Sequence, residues 1–269
     1  MTLIIAQTAI VDPRAELGDD VRIGHFCVIG PHVRIGAGTR LENHVTITGH
    51  TTIGRDNHFH PGCVIGGEPQ DLGYRGSPTC VVIGDNNVFR EHVTVHRGSE
   101  KEDGITSVGD RGYFMTNAHI AHDCRVGNRV VIANNSMLGG HVHVHDDAVI
   151  SGGVGVHHFT SIGQFSFVAG LGRVITDVPP FMLCEGQPAR PRTINMVALK
   201  RNNFSRVDIQ LLNAAFRLLY REKVGVDKAR AQLSATDGGL APVLATLFEF
   251  LDQQGDGRHG RGRDRRKAA

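Results

Sequence analysis

No tryptophan occurs among the 269 residues, and aromatic residues make up only 6%. That scarcity argues against the aromatic platforms on which single-stranded nucleic acids stack. The charge points the same way: 29 basic and 27 acidic side chains leave +2 with histidine neutral, too small an excess for a phosphate-backbone binder. Long hydrophobic runs are missing as well. Met1 to Gln7 is a short apolar start with no basic segment before it, and no stretch approaches the roughly 18 apolar residues of a membrane span. A soluble, cytoplasmic protein without nucleic-acid or membrane-spanning function is expected. The cysteines Cys27, Cys63, Cys80, Cys124 and Cys184 form no C-x-x-C pair, so they read as small buried hydrophobes in a reducing compartment. Positive charge collects only at the end, where residues 254–269 carry six Arg or Lys among glycines. This is expected to be a disordered basic tail without a catalytic role.

What the chain has instead is a period. From Val11 an aliphatic or aromatic residue recurs every sixth position, through Leu17, Ile23, Ile29, Ile35, Leu41, Ile47, Ile53, Phe59 and Ile65. The frame returns at Ile83, Phe89 and Val95, and a run shifted by one residue continues from Val108 through Ile120, Leu138 and Val156 to Val174. An α-helix repeats every 3.6 residues and a two-sided strand every 2, so neither explains this spacing. A hexapeptide solenoid does. Each hexad supplies a short strand and a corner, and three hexads close one triangular coil. About eight coils at about 4.8 Å each make a prism ~40 Å long. Small or β-branched residues four places on, among them Val21, Cys27, Val33, Thr39 and Cys63, fill the remaining core. Glycine often follows the inward residue, as at Gly18, Gly36 and Gly163, and the expected reason is a corner conformation that glycine adopts cheaply.

The repeat breaks twice. In-phase positions Asp71 and Ser77 would put polar groups inside the prism, which is costly, so residues 66–81 should leave it as an external loop. Residues 97–107 form a second, wholly polar break. Loops on a rigid scaffold are where binding and chemistry concentrate. After Asp177-Val178-Pro179-Pro180 the hexads stop. Helical spacing with Ser205 as N-cap predicts a helix over 205–222, followed by helices over 226–234 and 240–253. The expected organisation is a catalytic prism over 1–190, a helical domain over 191–253 capping its open end, and the tail.

Histidines cluster in the third run. His122 and His158 each follow an inward residue by two places, 36 residues and hence two coils apart, and His141 falls near the coil between them. Three readings of this outward stripe stand: surface polarity, a metal site of the carbonic-anhydrase kind needing three converging imidazoles, or a general base titrating near neutral pH.

Several motifs narrow the choice. Asn117-Ala118-His119-Ile120-Ala121-His122-Asp123-Cys124, Gln70-Asp71-Leu72, Thr94-Val95-His96-Arg97-Gly98, Asp177-Val178-Pro179-Pro180 and Leu199-Lys200-Arg201 together resemble the UDP-N-acetylglucosamine acyltransferases of lipid A synthesis, across roughly residues 8–222. The resemblance implies a homotrimer of left-handed parallel β-helices with active sites between neighbouring prisms. It implies transfer of an (R)-3-hydroxyacyl group from acyl carrier protein to the 3-hydroxyl of UDP-N-acetylglucosamine, with no cofactor, metal or covalent enzyme intermediate. On matching positions His122 is the general base, Asp123 its partner and Gly140 N–H the oxyanion donor. Gln70, Asp71, His96, His119, His141 and His157 line the substrate site, Gly170 leaves room for the acyl tail, and Asn195 and Arg201 hold the nucleotide. Lys200, Arg201, Arg217 and Arg221 are candidate contacts for the acidic carrier protein.

Three positions depart from the pattern. Gly73 stands where the family usually carries lysine, whose cationic role is then lost or passed to Arg75. Val197 and Asn202 replace a carboxylate and a second arginine. Rival functions are acylation of the 3-amino sugar, a related N-acyltransferase, a zinc-dependent carbonic anhydrase and a non-catalytic sugar-nucleotide-binding solenoid.

Overall fold

A computed structural model describes residues 3–234 and 240–255. Two-residue to six-residue strands, paired in parallel except between the last two, stack into three sheets of eleven, nine and eight strands, one for each wall of a triangular left-handed prism. We call them face A (containing Arg40–Leu41 and Val88–Phe89), face B (Thr94–His96, His119–Ile120, Met137–Leu138, Gly155–Val156, Arg173–Val174) and face C (Ile105–Val108, Arg125–Val126, His143–Val144). In a regular coil, residue i pairs with i+18, as Ile23 with Leu41. The inward residues predicted from the period form the core: Ile23, Ile29, Ile47, Ile65, Ile120 and Ile132 are at most 2% exposed. Phe59, Phe89 and Phe114 stack along the axis at 4.6 and 4.8 Å between ring centroids. The four-places-on set is buried as expected, and burial pushes the Cys63 thiol up to about 12. Cys80 is the exception, half-buried on face C.

The glycines that follow inward residues have a different cause from the one expected. Gly18, Gly36 and Gly163 are not left-handed; a Cβ on Gly36 would lie 2.5 Å from the carbonyl oxygen of Gly54 in the next coil. Close stacking, not backbone freedom, excludes a side chain there. The left-handed residue comes two places later and is usually not glycine, as at Asp56, Asn86, Asp123, Asn135 and His141.

Both excursions leave between faces B and C. Ile65 pairs with Val95, thirty residues on, and Ile83 with Val108, twenty-five on. The first excursion therefore adds two hexad lengths, which is why the period runs through it in frame, and the second adds seven residues, which is the one-residue shift. One lies directly above the other on the same corner.

Past face B the antiparallel pair Met182–Gly186 and Ala189–Ile194 extends face A, so a strand crosses the boundary expected at residue 190. Helix α1 (Met196–Arg201), not foreseen, is followed by α2 (Arg206–Phe216), which widens into a π-helical turn at Arg217–Arg221, then α3 (Val226–Leu233) and α4 (Pro242–Gly255). Ser205 and Asp208 form the capping box that starts α2, a reciprocal satisfaction of backbone donors. Phe204 sets its ring edge-on to Phe165 at 5.2 Å and Phe181 at 5.9 Å, docking the helices on the last coils. At the opposite end Val11 and Leu17 are only partly buried. Of the basic tail expected over 254–269, Gln254 and Gly255 belong to α4 instead, and the rest lies outside the described residues. Among the described residues no helix is long and apolar enough to cross a membrane.

Candidate active site

The corner from face B to face C, beneath the two excursions, gathers most of the predicted residues. Asp123 is fully buried at a left-handed position. Its Oδ1 accepts the Ser99 N–H (2.8 Å), and its Oδ2 accepts the Ser99 hydroxyl (2.6 Å) and His122 Nδ1 (2.8 Å). Burial alone would raise the carboxyl; the bonds from His122 and Ser99 outweigh it and hold Asp123 below its ordinary range. An ionised carboxylate only accepts hydrogen bonds, so Nδ1 of His122 is the donor in this pair, and in the neutral imidazole Nε2 is the nitrogen that can accept a proton. The His122 ring lies across Gly140: a Cβ there would fall 2.5 Å from Cε1 and 2.7 Å from Nε2.

The Gly140 N–H is available for a different reason. At the corner after face C, the amide two places past the inward residue is capped by an Asp or Asn of the next coil, as in Asp110 N to Asn128 Oδ1 (2.8 Å) and Asn128 N to Asp146 Oδ1 (2.9 Å). At the B-to-C corner the corresponding residues are His122, Gly140 and His158, and the Gly140 N–H donates to no carbonyl or carboxylate among the described residues. A donor thus remains beside the His122 ring.

The expected outward stripe of histidines is not formed. Gly140, not His141, occupies the register between His122 and His158. His141, one place further, is covered by the second excursion at 2% exposure, stacks on Phe159 with centroids 4.3 Å apart, and lies 3.6 Å from Asp123 Oδ2 and 3.1 Å from Glu102 Oε1. His122, Asp123 and His141 place potential metal-ligand atoms within 4.8 Å of one another. Asp123 Oδ2, however, already accepts two hydrogen bonds, so this donor set suits an oriented imidazole better than a cation.

On face B, His119 Nδ1 meets Thr94 Oγ1 at 2.7 Å and His96 Nδ1 donates to the Glu68 carbonyl at 2.6 Å. Burial, reinforced by His96 and His122, pushes His119 down to about 4, and burial lowers His96 too. A groove of about 510 Å³ runs from Gln70 past His119, His122 and Gly140 to His157 and Arg173. Its floor is Met137, Leu138, Gly155, Val156 and Val174. A Cβ on Gly155 would meet nothing within 4 Å, so the missing side chain there is open groove. Asp71 sits above, held below the ordinary carboxylate range by Lys101 (2.6 Å) and the Gly73 N–H (2.8 Å).

Three predicted residues lie elsewhere. Gly170 is at the A-to-B corner, where a Cβ would make only ordinary contacts at 3.4 and 3.6 Å. Asn195 and Arg201 line a separate cavity of about 330 Å³ on face A with Arg129 and Phe167. Asn195 is 4% exposed and caps α1 while donating to the Phe165 carbonyl at 2.8 Å, so its first task is structural. Within one chain this cavity does not join the His122 groove. Sequence reasoning missed Ser99, Lys101, Glu102, Phe159 and Arg173. For Ser99 a signal existed, since it directly follows the His96-Arg97-Gly98 motif.

A parallel β-helix that holds a carboxylate-oriented imidazole over a free backbone N–H, at the head of an apolar groove, defines a hexapeptide-repeat acyltransferase. A bacterial transferase hexapeptide model matches residues 14–49 and 32–67, and a model of domain 2 of UDP N-acetylglucosamine O-acyltransferases matches residues 177–262. Acyl-[acyl-carrier-protein]–UDP-N-acetylglucosamine O-acyltransferases of Halorhodospira halophila and Syntrophobacter fumaroxidans are each 47% identical over 92% of this chain and 96% of their own. The solved structure of LpxA from Acinetobacter baumannii is 38% identical with a TM-score of 0.89, covering 93% of this chain and 97% of that one. The UDP-N-acetylglucosamine acyltransferase of Francisella novicida is 36% identical with a TM-score of 0.87, covering 93% and 91%. The chain belongs to the acyl-[acyl-carrier-protein]–UDP-N-acetylglucosamine O-acyltransferase family.

Proposed function

We propose that this protein transfers an (R)-3-hydroxyacyl group from acyl carrier protein to the glucosamine 3-hydroxyl of UDP-N-acetylglucosamine, the first step of lipid A biosynthesis. The observation that carries the reading is the His122 imidazole, fixed through Nδ1 by a buried Asp123 and lying with Nε2 against Gly140. Nε2 takes the hydroxyl proton as the sugar oxygen attacks the thioester carbonyl. Charge develops on the carbonyl oxygen, and the Gly140 N–H stabilises it. Collapse breaks the carbon–sulfur bond, and the carrier thiolate leaves with the proton that His122 returns. No cofactor enters this scheme. The apolar floor from Met137 to Val174 suits the hydrocarbon tail, and Asp71, Gln70, His96, His119, His141 and His157 surround the sugar and thioester.

Asn195 and Arg201 reach a nucleotide only from a second copy, which is why the active unit in this scheme is a homotrimer, with each groove completed by a neighbour's face A. The working compartment is the cytoplasm, and basic side chains on the helical domain, Lys200, Arg201, Arg217 and Arg221, meet the carrier protein. The test is acyl transfer from a panel of (R)-3-hydroxyacyl carrier proteins to UDP-N-acetylglucosamine and its 3-amino analogue, with wild type and His122→Ala. Turnover on the hydroxyl sugar that collapses in the variant is expected. Preference for the amine would change the acceptor, and absence of turnover on both would overturn the assignment.

A further inference from the structure

The second excursion uses four consecutive side chains to tie the base to the first excursion. Ser99 binds Asp123 through its amide and hydroxyl. Glu100 Oε1 accepts the Arg75 and Ser77 amides at 3.0 and 3.2 Å. Glu102 lies 3.1 Å from His141. Between them Lys101, its own amide directed to Ser99 Oγ at 3.3 Å, sends Nζ to within 2.6 Å of Asp71 Oδ2.

The backbone at Lys101 is therefore pinned on both sides, and its ammonium is aimed rather than wandering. Asp71 is only 12% exposed while Lys101 is 52% exposed, so the carboxylate is set into the site and the cation approaches it from the solvent side. At Gly73 a Cβ would point between these two groups, 3.2 Å from Asp71 Oδ1 and 3.6 Å from Lys101 Cε. A long side chain at 73 and the Lys101 stem would compete for one space. Other cations nearby are engaged elsewhere: Arg75 Nη1 donates to the Leu72 carbonyl at 3.3 Å, and Arg97 to Glu68 and the Tyr74 hydroxyl. The cationic role does not pass to Arg75.

We propose that Lys101 is the positioning cation of the acceptor subsite, fixing the Asp71 carboxylate for the sugar hydroxyls from the neighbouring excursion, in the space that Gly73 leaves open. This rests on the acceptor reading above. Losing a charge-assisted contact predicts that Lys101→Gln raises KM for UDP-N-acetylglucosamine by about tenfold, with kcat and the KM for the acyl donor little changed. Adding Gly73→Lys to that variant should return the sugar KM most of the way, because a lysine there reaches the same carboxylate. Thermal unfolding of all forms is followed in parallel, and equal Tm values keep folding out of the comparison. A sugar KM unmoved in Lys101→Gln, or an unrescued double variant with wild-type Tm, overturns the Lys101 assignment alone. A wild type that does not acylate UDP-N-acetylglucosamine overturns the acceptor reading and this assignment together.

Discussion

Replacing Gly140 with alanine separates catalysis from stability. Gly140 is not in the left-handed region, so its backbone admits alanine, and restricting the unfolded chain favours the fold by about 0.4–1 kcal/mol. The new Cβ, however, would lie 2.5 Å from His122 Cε1 and 2.7 Å from Nε2. Carbon contacts settle near 3.5–4.0 Å, so the ring must retreat by about 1 Å. It cannot retreat freely, because Nδ1 is held at 2.8 Å by a buried Asp123 that Ser99 holds in turn. A displacement of about 1 Å from the reacting geometry costs about a hundredfold in rate. The expected result is kcat lowered about a hundredfold with Tm close to wild type, because the strain at His122 offsets the chain-entropy gain. Gly139→Ala gives the opposite pattern. Its Cβ would meet the His158 amide nitrogen at 2.8 Å and the Val156 carbonyl at 3.1 Å. Those backbone atoms yield only if coil stacking is disturbed, which costs about 1–3 kcal/mol and appears as a lower Tm. Steady-state kinetics and calorimetry on the two variants suffice. A Gly140→Ala enzyme within about threefold of wild-type kcat would refute the placement of His122 as base, since the misplacement argument demands a far larger loss.

Other expectations follow from the same geometry. Asp123→Asn presents an amide to His122, disfavouring the tautomer with a free Nε2, and kcat should fall about 10²–10⁴-fold while the sugar KM stays near wild type; a similar kcat would sink the relay. Gly155→Leu fills the open groove floor, and kcat/KM should drop roughly tenfold or more for long acyl donors relative to short ones, measured across the donor panel. His119 has a folded value of about 4 against roughly 6.5 unfolded, so the unfolded chain takes the proton first. Its neutral form contributes stability that is complete above about pH 6.5 and lost as pH falls toward 4; His119→Asn should flatten the fall of Tm over that window. Phe89→Ala removes the middle ring of the Phe59–Phe89–Phe114 stack and should cost about 3–5 kcal/mol, read by denaturant unfolding.

The prism was legible because its core takes one large apolar residue and one small one per hexad, so packing writes itself into the spacing. The period even carries the two excursions: twelve extra residues preserve the frame through Asp71, and seven shift it before Val108. His122 stood out through the residues flanking it, and the structure gives it a buried carboxylate partner. What surrounds it was not legible. Ser99, Lys101 and Glu102 belong to an aperiodic excursion, whose path depends on contacts with the first excursion rather than on any spacing. His141 was placed in the right coil but one register position off, and it is buried because the second excursion, which no period describes, covers that corner. The glycines were noticed for the wrong reason, since stacking distance is a property of two coils and not of one hexad. Arg201 and Asn195 sit on another wall, a separation that chain order alone does not show.

The Asp123 dyad draws on four successive turns of the solenoid: Ser99 from one, His122 from the next, Gly140 from the third and Phe159 from the fourth. Stacked repeats touch only their neighbours, so opening at one end need not spread. The end capped by Val11 and Leu17, which are only partly buried, is the weaker one, and it lies several turns away from this group. Gentle warming should therefore loosen amide protection in the first coils while turnover persists. Catalysis is then a gauge of the middle of the rod, blind to the state of its tip.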